Sequence, residues 1–379
     1  MLYPVREIIL LLCIIASSYV FALEKAKFSK ELSINVPNSI TLPYGNQLYT
    51  VSKNRSHVNI ESMDENYKPC AIRVDAFDDL IRGKMRAFSF DSEIFLWGER
   101  SKQIARSATK FSNYTLLLLN PNTCNYLSAS INEQDEMPAV GEQLPEVVNY
   151  GDKFDVFFPS LTKCSPCRYN QWGVKDDPSQ QPLNKLRAEE PHSSIFFHIR
   201  WMNPGYFYVF NFENGTSVLR YLDQEFFTLK EKYVDRTVDV ISNTVNKTRN
   251  VGVCYRRSHP VSPEIFCTKL NSQLHSLDFF RVPVSKSSSV SSMSFEYDKK
   301  GHSFVGLAEY KQYELFIYDK NGQLVKSLDF GKAVPNYLPS EVHGHVVGNQ
   351  YCLIIDENQL DAVAAQRIVK CIDINKYVA

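Results

Sequence analysis

His343-Gly-His345 is the one close pair among the eight histidines of this chain. Alternation along a strand puts both imidazoles on one face, where they can share a metal ion. Glu341 is the only carboxylate beside them, a thin ligand context, so the sequence nominates no metal and no cofactor. Cys164-Ser-Pro-Cys167 has the spacing of a disulfide-exchanging pair. That chemistry needs its first cysteine at the N-terminus of a helix that follows a parallel strand. Here Phe154–Pro159 precedes the pair and Arg168–Gly173 follows it, with no helical periodicity, so the pair reads as structural. Asp75, Asp78 and Asp79 match no standard calcium loop and read as a solvated face. Tyr255-Arg256-Arg257-Ser258-His259 is a short basic patch on a neutral chain and reads as surface. No H-E-x-x-H, G-x-S-x-G, P-loop, G-x-G-x-x-G or EF-hand pattern occurs. Nothing nominates a catalytic residue, although a Ser/His/Asp set assembled in space leaves no trace in spacing.

Composition narrows the function classes. The 379 residues are 44% hydrophobic and 22% charged, ordinary globular values. Lys plus Arg and Asp plus Glu each number 42, which argues against a broad electrostatic grip on nucleic acid or anionic lipid. Residues 1–22 read as a cleaved secretory signal. Arg6 charges the head, Ile8–Ala22 is apolar, and Val20-Phe21-Ala22 offers small residues where the peptidase needs them. No later stretch is long enough to span a bilayer, so the expected product is a secreted, extracellular protein over residues 23–379.

Two further features fit that compartment. Once Cys13 leaves with the leader, eight cysteines remain: Cys70, Cys124, Cys164, Cys167, Cys254, Cys267, Cys352 and Cys371. An even number in an oxidising compartment allows up to four disulfides. Cys254 with Cys267 and Cys352 with Cys371 bracket short hairpin-like segments and can bridge them. The other four admit three pairings. Asn54, Asn113, Asn214 and Asn246 open Asn-x-Ser/Thr sequons, the acceptor sites of N-glycosylation.

The elements that position these residues read as strands. Ser194–Trp201, Tyr206–Phe212, Tyr313–Tyr318 and Tyr351–Ile355 are rich in aromatic and β-branched residues and end in Asn, Asp, Gly and Pro. The best helical candidates, Ser101–Thr109 and Leu360–Gln366, are short. Asn214-Gly215 and Asn321-Gly322 each separate an aromatic strand from an alternating one and accept the positive φ of a tight hairpin. These units lie 107 residues apart. With looser copies near Asn120 and Asp373, they predict an all-β fold: a β-propeller of six or seven blades, at about 40–50 residues per blade. β-sandwich domains are the alternative. The last unit is incomplete, which predicts that an early strand within Leu42–Val51 closes the C-terminal blade. Closure of that kind removes exposed sheet edges. The polar, proline-bearing stretch from Trp172 to Glu190 reads as a long surface loop, and Ser285–Ser292 as another loop or an inter-blade link.

In length, leader and sequons the chain is similar to secreted insect propellers of the yellow and royal-jelly type; the resemblance carries over no site residue. A repetitive scaffold with polar loops and no catalytic signature predicts a binding module for an extracellular protein, glycan or small ligand. The alternatives are a secreted hydrolase or lyase on the same scaffold and a structural component of an extracellular layer, cross-linked through Cys70 and Cys124.

Overall fold

The computed structural model describes residues 23–34, 39–54, 57–63, 69–73, 85–90, 93–103, 110–129, 146–150, 153–157, 167–170, 194–212, 214–242, 250–257, 264–284, 290–359 and 365–378. Among these residues there are twenty-eight strands and no α-helix; the one helical element is a single 3-10 turn, Ile374–Lys376. The first two strands, β1 (Glu24–Lys25) and β2 (Lys30–Ile34), join sheets made from the end of the chain.

The rest falls into seven antiparallel sheets in chain order. Blade 1 is β3 (Ser39–Tyr44), β4 (Gln47–Asn54), β5 (His57–Ser62) and β6 (Cys70–Arg73). Blade 2 is β7 (Met85–Phe90), β8 (Glu93–Gln103), β9 (Lys110–Asn120) and β10 (Asn125–Ala129). Blade 3 contributes β11 (Glu146–Tyr150), β12 (Lys153–Phe157) and β13 (Cys167–Asn170). Blade 4 is β14 (Ser194–Met202), β15 (Gly205–Phe212), β16 (Ser217–Leu222) and β17 (Thr228–Val234). Blade 5 is β18 (Thr237–Ile241), β19 (Asn250–Arg257), β20 (Glu264–Asn271) and β21 (Phe280–Val282). Blade 6 is β22 (Val290–Tyr297), β23 (Ser303–Glu309), β24 (Gln312–Tyr318) and β25 (Leu324–Lys332), edged by β1 in parallel. Blade 7 is β26 (Tyr337–Val347), β27 (Gln350–Gln359) and β28 (Ala365–Asp373), with β2 as its fourth strand.

Apolar packing turns these sheets into a ring. Tyr49, Val58 and Ile60 of blade 1 bury against Ile94 and Leu119 of blade 2. Val148 of blade 3 packs on Tyr206 and Tyr208 of blade 4. Phe207 and Val209 meet Val253 and Tyr255; Phe280 and Val282 meet Phe295 and Val305; Leu315 and Ile317 meet Tyr351 and Leu353. The seam closes where Ile354 and Val369 of blade 7 bury Leu48 and Met63 of blade 1. Consecutive first strands touch (β3 with β7, β11 with β14, β18 with β22, β22 with β26), so the first strand of each blade lies innermost. The fold is therefore a seven-bladed β-propeller, not a pair of sandwiches. At six junctions among the described residues a sheet hides an apolar face against its neighbour, which accounts for the continuous aromatic and β-branched runs in the sequence.

Polar side chains lock the same junctions. Asn211 Nδ2 donates to the Val238 carbonyl (2.8 Å), and Val238 N–H donates to Ser217 Oγ (3.1 Å). Val342 N–H donates to Ser292 Oγ (3.0 Å), and Arg367 Nη1 donates to the Ser39 carbonyl (2.5 Å). Val238, Val342 and Ser39 all lie on first strands, so each contact satisfies an inner backbone group that would otherwise be buried unpaired.

Three expectations change. The ring is closed by Lys30–Ile34, antiparallel to β28 from Lys30↔Cys371 to Ile34↔Arg367; Leu42–Val51 instead lies in the first hairpin of blade 1. Ser101–Gln103 ends strand β8, and Ala365–Gln366 begins β28; residues 104–109 and 360–364 lie outside the described residues. The two Asn-Gly units are also out of phase. Asn214-Gly215 joins the second and third strands of blade 4, whereas Asn321-Gly322 joins the third and fourth of blade 6. In each, positive φ falls on the glycine alone, +80° and +79°, so neither is the two-residue turn that needs it at both positions.

The recurrent local unit is a different one. Asp298 and Asp319 each accept hydrogen bonds at Oδ1 from the amides two and four residues on. Asp223 and Asn271 do the same. The third residue after each has positive φ: Gly301, Gly322, Phe226 and Leu274. A short acceptor side chain thus supplies the turn's geometry, and the exposed turns use glycine at the left-handed position. Phe226 and Leu274 hold that conformation because their side chains are buried in the blade cores.

Candidate functional site

Strand β26 is the innermost strand of blade 7, and its alternation sets the site. Val342, Gly344 and Val346 turn toward blade 6. Gly344 is required there: a Cβ would stand 2.3 Å from the Tyr351 hydroxyl and 2.8 Å from Ser294 Oγ. Glu341, His343 and His345 share the opposite face. That face also carries Cys352 and Ile354, directly across from His345 and His343, which pack on blade 1.

Glu341 faces Asp356 of β27 across the sheet. His343 Nε2 lies 3.3 Å from Glu341 Oε1. One donor atom from each of Glu341, His343 and Asp356 lies within 4.8 Å of the other two. Asp356 is held by Arg367 of β28, whose Nε and Nη2 donate to Oδ1 and Oδ2 at 2.6 and 2.7 Å. The same guanidinium reaches the Ser39 carbonyl, so the cluster sits at the seam where the last blade meets the first. Glu341 is exposed and His343 half-buried. His345 is also half-buried, and burial, with the neighbouring His343 adding to it, pushes its imidazole down to about 3.

The two histidines thus have different surroundings: His343 joins the two carboxylates, and His345 does not. Asp356 was not legible as a partner, because it lies in a different strand and only the β26–β27 register brings it to Glu341.

A second carboxylate group lies on the blade 6 face that packs on blade 5. Glu314 is opposite Asp329, and burial first, then the charges of Glu309 and Asp329, push its carboxyl up to about 7. Glu309 and Glu314 are both buried. Burial inside a blade junction makes this a structural group with an unusual titration, not an open site.

Three disulfides are present among the described residues. Cys254 bonds Cys267 and Cys352 bonds Cys371, each across a directly facing pair of strand residues. Cys70 of β6 bonds Cys124 in the β9–β10 turn, with Cα atoms 5.5 Å apart, and staples blade 1 to blade 2. Since this bond lies within the chain, it overturns the expectation that Cys70 and Cys124 cross-link chains. Cys167 opens β13, and Cys164 lies outside the described residues.

Of the sequons, Asn54 ends β4 and Asn113 lies within β9. Asn214 sits exposed in a hairpin turn, where its Oδ1 accepts from the Thr216 amide (3.1 Å) and hydroxyl (2.7 Å). Asn246, the acidic residues Asp75, Asp78 and Asp79, Ser258, His259 and the stretch from Trp172 to Glu190 lie outside the described residues. Arg256 and Arg257 end strand β19. Arg256 pairs with Asp239 at 2.5 Å and donates to the Val290 carbonyl at 3.4 Å, so it serves a blade junction. The serine-rich run does not act as a link over its whole length: Ser291 and Ser292 lie within β22.

No protein-family model matches the chain, and no curated protein matches its sequence. Solved structures are similar in shape. The Nup133 β-propeller domain of Vanderwaltozyma polyspora aligns at 7% identity over 91% of this chain and 99% of its own, with a TM-score of 0.48. The polysaccharide lyase Uly1 aligns at 8% over 94% of each chain, TM-score 0.49. Drosophila Semaphorin 1b, extracellular domains 1–2, aligns at 9% over 92% of this chain and 87% of its own, TM-score 0.45.

Proposed function

We propose that the chain is an exported glycoprotein that acts as a binding module for an extracellular protein, glycan or small ligand, engaged at the axial seam of the ring. Three disulfides within the described residues support an oxidising compartment. Among the described residues no helix is long and apolar enough to cross a membrane. The observation that carries the reading is the cluster on β26. Glu341 and His343 are accessible on an innermost strand, while Arg367 and the blade junction fix Asp356 behind them. A rigid wall with a few convergent polar groups is what recognition uses.

The hydrolase or lyase reading draws on Glu314, since a carboxyl near 7 suits general acid catalysis. Its burial between blades 5 and 6 favours the binding reading instead.

The test immobilises the secreted chain beside a Glu341→Gln/His343→Ala double variant and probes both with a glycan array and with the fluid into which the chain is released. Ligands retained by the parent and lost from the variant support the reading. Equal retention by both places the binding surface elsewhere and overturns it.

A further inference from the structure

We propose that Glu341, His343 and Asp356 form a binding site for a divalent transition cation of the zinc class. The proposal takes its location, but not its chemistry, from the axial-seam reading.

The donor set is one imidazole nitrogen and two carboxylates, a combination such ions accept. On a tetrahedral zinc ion with bonds of about 2.0–2.1 Å, neighbouring donors stand about 3.3 Å apart. His343 Nε2 and Glu341 Oε1 already stand 3.3 Å apart. Both project from the same face of one strand, two residues apart, so the backbone fixes their spacing. Asp356 enters from the neighbouring strand, and all three donor atoms lie within 4.8 Å of one another. Glu341 is exposed, so its side chain can adjust to an ion without movement of the sheet.

Arg367 fits this arrangement. Its fork takes one lone pair from each Asp356 oxygen, and an ionised carboxylate offers about four. Outer partners of this type orient ligating carboxylates. The formal charges of Glu341, Asp356 and Arg367 sum to one negative charge, which favours a cation. Three protein donors leave at least one coordination position for water or for a ligand group, so the ion would be a point of recognition at the seam.

The test titrates chelator-dialysed full chain with Zn²⁺ by calorimetry and with Co²⁺ by visible absorption. The expected result is one ion per chain. His343→Ala weakens uptake about 100-fold and Glu341→Gln about 10-fold, while His345→Ala leaves it within about twofold. Circular dichroism of Glu341→Gln and His343→Ala verifies that the ring is intact. Three results overturn the proposal: no stoichiometric uptake, uptake indifferent to His343→Ala, or equal losses in His345→Ala and His343→Ala. Zinc uptake without retention of any ligand by the immobilised chain sinks the binding-module reading and leaves the cation site standing.

Discussion

Arg367 and Ser39 are 328 residues apart, yet the arginine of the last blade donates to the serine carbonyl of the first. The same guanidinium forks onto Asp356. One side chain therefore fixes the site and bridges the seam between the last blade and the first. Arg367→Ala removes both contacts and leaves the Asp356 carboxylate without its counter-charge. The expected loss is about 2–3 kcal/mol of unfolding free energy, read as a lower denaturant midpoint. Arg367→Lys, which keeps the charge but not the fork, recovers less than half of it. A midpoint unchanged in Arg367→Ala removes the seam from the list of stabilising junctions.

Gly344 lies where β26 crosses the Tyr351 hydroxyl. Gly344→Ala forces a methyl into that contact and costs about 2–3 kcal/mol, in the range of core overpacking. Tyr351→Phe in the same chain removes the oxygen that the methyl meets first and recovers part of the loss. Thermal unfolding of the single and double variants measures the coupling. Additive effects show that the close approach does not govern the packing.

Stability should fall as pH rises through neutrality, because of Glu314. Its carboxyl ionises near 4.5 in an unfolded chain and near 7 here. The folded state therefore holds the proton more tightly, and the contribution is full below about pH 4.5 and lost as pH rises through 7. Glu309 and Asp329 face the group from β23 and β25, and both resist its ionisation. Glu314→Gln keeps the shape and removes the titration. At pH 8 the variant should be more stable than the parent by on the order of 2–3 kcal/mol, and the two should converge at pH 4–5. Parallel pH profiles for parent and variant refute the assignment.

Asn214 is presented for modification in a way the fold makes visible. Its side chain is exposed, and the Thr216 hydroxyl donates to its amide oxygen, so the acceptor and the sequon hydroxyl are already paired. Chain secreted from eukaryotic cells should carry one glycan at this residue, lost in Asn214→Gln and in Thr216→Ala. Peptide mass spectrometry before and after glycosidase treatment reads it out. An unmodified Asn214 peptide from such material refutes it.

The sequence displayed the strand content and the ring more readily than the site. Runs such as Tyr206–Phe212 and Tyr313–Tyr318 are apolar on both faces because blades cover both faces, and that signal survives without any contact information. The phase of the repeat did not survive. Asn214-Gly215 and Asn321-Gly322 look alike in sequence but join different strands of their blades, so the 107-residue offset counts two blades plus one strand. The true recurrent signal, an Asp or Asn accepting from amides two and four residues on, was obscured at Asp223 and Asn271. There the left-handed position is filled by Phe226 and Leu274 in place of glycine. His343 and Glu341 are visible as neighbours on a strand. Asp356 and Arg367 join them only through cross-strand register and a blade junction, which local spacing does not encode. Cys70 and Cys124 are likewise brought together by adjacency of blades 1 and 2.

Residues 24–34 edge two neighbouring blades, β1 on blade 6 and β2 on blade 7. Tension applied at the amino-terminal end of the folded chain would meet those two ribbons before it loaded any blade interior. Their backbone hydrogen bonds would part in sequence, β1 first, and the remaining sheets would feel the pull only after both had come away. The molecule is thus built with its mechanical release at the clasp, and an optical-tweezers trace drawn from that end should begin with a short low-force extension ahead of the main rupture.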